Sequence, residues 1–153
     1  MEEKISKEHY RKLENMYKSA PINAIIKSHA EIEYKKATVY IEVKNDLFHA
    51  ANAVHGAIYF KALDDSAFFS ANSIVDDVFV LTTSFTTYLT KPVSEGLLRA
   101  EGKLVNYTKS QFIAESVIYN NNKEIGRGSG IFVKSKLKLE DVPGYKLPSS
   151  NEN

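Results

Sequence analysis

The chain has 153 residues, 43% of them hydrophobic and 25% charged, with a net charge of +1 and no cysteine. That length and balance fit one compact domain around a single core. A near-zero charge with no basic stripe interleaved with aromatics argues against nucleic acid. The absence of cysteine excludes disulfides, thiolate metal sites and a cysteine nucleophile.

The opening MEEKISKEHYRKLE is charged and amphipathic, without the apolar stretch of a signal peptide. No run approaches the roughly 18 apolar residues of a membrane span. A cytoplasmic protein with no membrane partner is the expectation. Residues 6–18 predict a short helix with Tyr10, Leu13, Met16 and Tyr17 on one face, stopped at Ser19-Ala20-Pro21. The stretch 32–44 is rich in β-formers, and its clearest strand, 38–43, puts Val39, Ile41 and Val43 on one face. A loop through 45–54 leads into an apolar helix that runs to about Ile74. There Ala57, Phe60, Leu63, Ala67, Phe68, Ala71 and Ile74 recur at the spacing of a helix packed on nearly all sides.

Asp76-Asp77 turn the chain out of that helix, and four strands follow at 78–88, 97–106, 112–119 and 124–136. Residues 92–96 and the turn Asn120-Asn121-Asn122 link them. Short links predict an antiparallel meander. One long buried helix followed by that meander is an α+β layout in which the sheet wraps the helix. The domain is expected over 1–139, with a flexible tail from 140 to 153 marked by Pro143, Gly144 and Pro148-Ser149-Ser150. Gly126-Arg127-Gly128-Ser129-Gly130 lies in a strand pattern with no helix after it. It reads as a bulge or close backbone approach, not a phosphate loop.

Two adjacent aspartates interrupt the apolar helix. Desolvating a carboxylate is costly and raises its pKa, so one kept in such a place is a functional candidate. At about 100° per residue Asp64 falls in the middle of the apolar stripe. Asp65 turns toward Lys61, four residues earlier, and is expected to pair with it on the wetter edge. Where the helix begins, Val54-His55-Gly56-Ala57 offers unpaired N–H groups at the positive end of the macrodipole. Gly56 or Ala57 N–H is thus a candidate to hold a polarised carbonyl oxygen. His55 is read as satisfying loop backbone. Nine residues of helix separate His55 from Asp64, about 13 Å of rise, too far for both to act on one carbonyl from a straight helix. Either the first turn is irregular or a second chain completes the pair.

His55-Gly56-Ala57, Asp64 nine positions after the histidine, and Tyr88-Leu89-Thr90-Lys91-Pro92-Val93-Ser94-Glu95-Gly96 together resemble the hotdog-fold acyl-CoA thioesterases, in particular the phenylacetic-acid-degradation type. The resemblance covers roughly residues 30 to 136. It implies a helix against a curved antiparallel sheet, a homodimer or dimer of dimers, and a thioester held in the dimer interface. The acid then comes from one chain and the helix-start N–H from the other. It also implies an acyl-CoA substrate, no metal and no separate cofactor, coenzyme A being part of the substrate. Ala57 stands where relatives have a second glycine, and His49 where many have an asparagine, the nearest asparagine being Asn52. Either His49 or Asn52 is a candidate to position water. A hydroxyl is expected on the strand before the Lys-Pro segment. Thr82, Thr83 and Ser84 offer one, Thr83 facing opposite to the other two, and Thr83 is the candidate site residue.

The implied activity is thioester hydrolysis with Asp64 as base or nucleophile and Gly56 N–H as oxyanion donor. The other class of reading is a non-catalytic hotdog protein that binds acyl-CoA as a sensor or assembly module. Lys91 and Lys109, and more weakly Arg127 and Lys134, are candidates for the coenzyme phosphates.

Overall fold

The computed structural model describes residues 5–150. Helix α1, Lys7–Ser19, starts at Ser6, whose side chain accepts from Glu8 N–H, and buries Tyr10, Leu13, Met16 and Tyr17 as the spacing predicts. A single helical turn, α2 (Ile22–Ile25), follows. The β-forming stretch expected from Ile32 is part of a hairpin: β1 (Ser28–Glu33) and β2 (Lys36–Glu42) pair antiparallel around Lys35, at φ 60°. Only Ala30 and Ile32 of β1 point inward among exposed or half-exposed polar neighbours, so its alternation is too short to stand out in the sequence.

The central helix α3 spans Gly56–Asn72 and packs against all six strands. Small residues set its inner face. A Cβ at Gly102 would sit 2.2 Å from the Ser66 backbone, so only glycine lets the helix lie this close to the sheet. Buried Ser66 and Ser116 both donate to Leu63 O, and Ser70 donates to Ala67 O. Ala57 and Phe60, expected in the core, are exposed instead, and Phe60 rests edge-on against Phe85 at 5.6 Å between centroids. The buried face includes Ser66 and Ser70, which an apolar stripe does not contain, and at the N-terminal end it runs through Ile58 and Tyr59.

The last four strands are β3 (Val78–Leu89), β4 (Leu97–Tyr107), β5 (Gln111–Asn120) and β6 (Lys123–Lys138). The sheet order is β1-β2-β4-β5-β6-β3, antiparallel throughout. The meander expectation therefore holds for β4-β5-β6, while β3 pairs with β6 at the edge and not with β4. A short link does not force adjacency. The seven residues from Thr90 to Gly96 reach about 23 Å when extended, more than the roughly 14 Å of three strand spacings. Asn121 and Asn122, at φ 50° and 61°, make the β5–β6 turn. Gly128 and Gly130 admit the Phe85 ring, which a Cβ at either would meet at about 2.5 Å, so the glycine run is a close approach.

The segment after Glu140, expected as a flexible tail, is packed as far as Tyr145. Val142 and Tyr145 join the core cluster, the Tyr145 hydroxyl is 2.6 Å from His9 Nδ1, and Asn15 Nδ2 donates to Gly144 O. The apolar residues here are too few to give a period, which is why the sequence reads as loop. Among the described residues no helix is long and apolar enough to cross a membrane.

Candidate active site

Asp64 lies on α3 facing β3, half-buried, and its Oδ1 accepts a 2.9 Å hydrogen bond from the Thr82 hydroxyl. Burial pushes its carboxyl up from 3.8 to about 6; Thr82 opposes that shift, Asp65 adds to it and Lys61 opposes it. The other oxygen, Oδ2, is left for chemistry. Asp65 pairs with Lys61 as the i,i+4 spacing predicts, but its edge is not wet. The buried Tyr17 hydroxyl donates to Asp65 Oδ2 at 2.7 Å, and Lys61 Nζ sits 5.0 Å from the Tyr17 ring. Burial, then Asp65, hold the Tyr17 hydroxyl well above its usual pKa. Asp64 and Thr82 open into an apolar cleft of about 490 Å³.

The hydroxyl that meets Asp64 thus belongs to Thr82 and not to Thr83. Thr82 is opposite Phe132 and Ser84 opposite Ile131, so Thr83 is the extra residue of a β-bulge. It is exposed, and its hydroxyl donates to Ile131 O. Simple alternation cannot register a bulge. It did group Thr82 apart from Thr83, and that grouping was the available signal.

The start of α3 is regular. His55 is its N-cap, and its Nδ1 accepts from Ala57 N–H at 2.9 Å. This removes Ala57 as a donor to substrate. Gly56 N–H has no acceptor among the described residues and remains available. Asn52, at φ 61°, forms the turn that returns the chain to His49 O, a conformation asparagine tolerates. The His49 ring accepts from Ala51 N–H in the same turn. Gly56, His49, Tyr59, Leu89 and Lys91 line a second cleft of about 250 Å³, and the Tyr59 hydroxyl donates to Lys91 O.

These two clefts share no residue. Because α3 is unbroken from Gly56 to Asp64, about 12 Å of rise keeps the N–H and the carboxylate apart within one chain. The candidate cations divide as well. Lys91 N–H bonds Ile125 O near the start of β6, whereas the turn holding Lys109 sits beside Val133, roughly 27 Å further along that strand. One protomer does not gather Lys91 and Lys109 on one ligand. Arg127 is already ion-paired with Glu124, and Lys134 lines a separate depression with Ile74 and Val75. Among the described residues no three His, Asp or Glu side chains gather as a metal would require.

A model of the thioesterase superfamily matches residues 51–126, about half of the chain and the part that carries α3, Thr82 and Lys91. No curated protein matches the chain. Its fold is similar to that of the PaaI protein from the phenylacetic acid degradation operon of E. coli (TM-score 0.76, 15% identity, covering 86% of this chain and 99% of that one). It is also similar to AziG of S. sahachiroi (TM-score 0.72, 19% identity, 77% and 98% covered). A variant of the phenylacetic acid degradation protein PaaI from Thermus thermophilus is a third likeness (TM-score 0.69, 15% identity, 76% and 100% covered).

Proposed function

Because the chain belongs to the hotdog-fold thioesterase superfamily, we propose that it hydrolyses acyl-CoA thioesters, with Asp64 as general base. The observation that carries this reading is the half-buried Asp64 carboxylate, held by Thr82 at the mouth of an apolar cleft, with a pKa of about 6. Such a value leaves it ionised at neutral pH yet basic enough to take a proton from water.

Asp64 Oδ2 accepts a proton as the water oxygen attacks the thioester carbon. The carbonyl oxygen becomes an oxyanion and is held by Gly56 N–H, at the positive end of α3. Collapse breaks the carbon–sulfur bond. The thiolate leaves and takes up the proton, releasing free acid and coenzyme A.

The helix rise between Gly56 and Asp64 supports a Gly56 supplied by a second copy of the chain. The outer edge of β3 supports such pairing: over its twelve residues no described residue forms a further strand beside it, and Leu81, Tyr88 and Leu89 are exposed along it. Lys91, beside Gly56 in the same cleft, is suited to a phosphate of the coenzyme.

Steady-state hydrolysis of a panel of acyl-CoAs, read by thiol release, tests this. The wild type is expected to turn over, and Asp64→Asn to lose at least about a hundredfold. A folded wild type that hydrolyses none of the panel, or an undiminished Asp64→Asn, would overturn it.

A further inference from the structure

The cleft at Asp64 is walled partly by residues outside the segment that matches the thioesterase superfamily. Met16 and Tyr17 of α1, Ala20 and Ile22 around α2, and Val142 and Pro143 of the C-terminal segment line it, opposite Phe68, Phe69 and Phe79. The N-terminal helices and the packed C-terminal segment together line one side of the cleft, with α3 and β3 supplying the rest.

The chemistry of the walls is one-sided. Apart from the reacting pair Asp64 and Thr82, the charges in the cleft are Lys61 and Asp65, which are bonded to each other and to the Tyr17 hydroxyl. Among the described residues that line the cleft, no cation is left to receive a second carboxylate on the ligand. At about 490 Å³ the cleft is within the usual range for small-molecule sites, roughly 300–1,000 Å³.

We propose that α1, α2 and the segment around Val142 form an acyl-specificity cap, and that the cleft selects an uncharged, apolar acyl chain of medium length. This rests on the reading of Asp64 as the reacting carboxylate. Ile22 sits at the rim of the cap, 48% exposed, where a change of size alters the cleft without disturbing the core. Its side chain is therefore a specificity determinant that does not touch the reacting atoms.

The test is kcat/KM on acetyl-, succinyl-, octanoyl- and dodecanoyl-CoA for the wild type, Ile22→Trp and Ile22→Ala. Each buried methylene is worth about fourfold, so the wild type is expected to favour octanoyl- over acetyl-CoA by ~100-fold or more and to reject succinyl-CoA. Ile22→Trp should cut the octanoyl value by about tenfold and leave acetyl within about twofold, because only the longer chain reaches the cap. Ile22→Ala, which carries no risk of overpacking, should move the optimum toward dodecanoyl-CoA.

A wild type that hydrolyses acetyl- or succinyl-CoA as well as octanoyl-CoA overturns the apolar-cleft claim while thioester hydrolysis stands. An octanoyl preference that neither variant moves overturns the cap. If no CoA ester is hydrolysed at all, the proposed function fails and this inference fails with it.

Discussion

Replacing Asp64 by asparagine is expected to remove activity and to stabilise the fold at neutral pH. The Asp64 carboxyl is raised from 3.8 to about 6, chiefly by burial. Between those values the folded chain therefore holds a proton that the unfolded chain has released. Stability contributed at this site is highest below about pH 4 and falls as pH rises through about 6. At about 1.4 kcal/mol per tenfold, that difference makes the ionised Asp64 cost the folded state about 3 kcal/mol at pH 7.5.

Asparagine carries no charge to desolvate, and its Oδ1 still accepts from Thr82. Hosting the amide is expected to cost about 1 kcal/mol, leaving a gain of about 2 kcal/mol. For a chain of this size that is a rise in Tm of about 4–8 °C. The measurement is thermal unfolding of both proteins across pH 4 to 8, and the gap should shrink as pH falls and reverse slightly at the acid end, where the native Asp64 is already protonated and only the cost of the amide remains. A gap that is negative at pH 7.5, or the same at every pH, would refute the argument that burial raises this carboxylate.

Asp65→Asn should behave oppositely: it strands the Lys61 ammonium, whose side chain is only 13% exposed, costing about 2 kcal/mol in denaturant unfolding, while activity falls less than about tenfold. The acid limb of log kcat against pH should bend near pH 6, and Thr82→Val, which removes the bond favouring the ionised form, should move that bend upward. Thr83→Val, whose hydroxyl meets only Ile131 O, should leave the profile in place. Lys91→Ala should raise KM for acyl-CoA with kcat little changed and leave a short thioester lacking the nucleotide unaffected, since a phosphate contact binds ground and transition states alike; a fall in kcat on both substrates would remove Lys91 from coenzyme binding.

Long periodic segments were readable from the sequence. The apolar helix and the four late strands lie where spacing puts them, because each rests on several repeats of one period, and the Lys61–Asp65 pair follows from its i,i+4 spacing on that helix. Hairpin β1 and helix α2 did not stand out. Each is short, and β1 turns only Ala30 and Ile32 inward. Strand order was not local information: β3 reaches β6 because the link from Thr90 spans the sheet, which a count of link residues does not reveal. In the site, Asp64 was legible as a carboxylate within an apolar stripe. Thr82 was obscured by the bulge at Thr83, and the choice of Gly56 over Ala57 as free donor depended on where the His55 ring turned. The distant placement of Lys109 followed from register across three strands.

Subunit mixing decides whether the thioester site is assembled from two copies of the chain. Gly56→Pro deletes the free N–H at a position where proline suits a helix, and His55 before it, at φ −61° and ψ 140°, is already in a conformation compatible with a following proline. A Cβ added at Gly56 meets only the tip of the Leu89 side chain, at 3.0 Å. Gly56→Pro and Asp64→Asn homo-oligomers should each be folded and nearly inactive. Equal amounts unfolded and refolded together should recover about a quarter of wild-type activity, since half the dimers are mixed and each mixed dimer holds one intact site. Mixtures that stay inactive while mixed dimers are present, or a Gly56→Pro protein that hydrolyses acyl-CoA at the wild-type rate, would contradict the shared site.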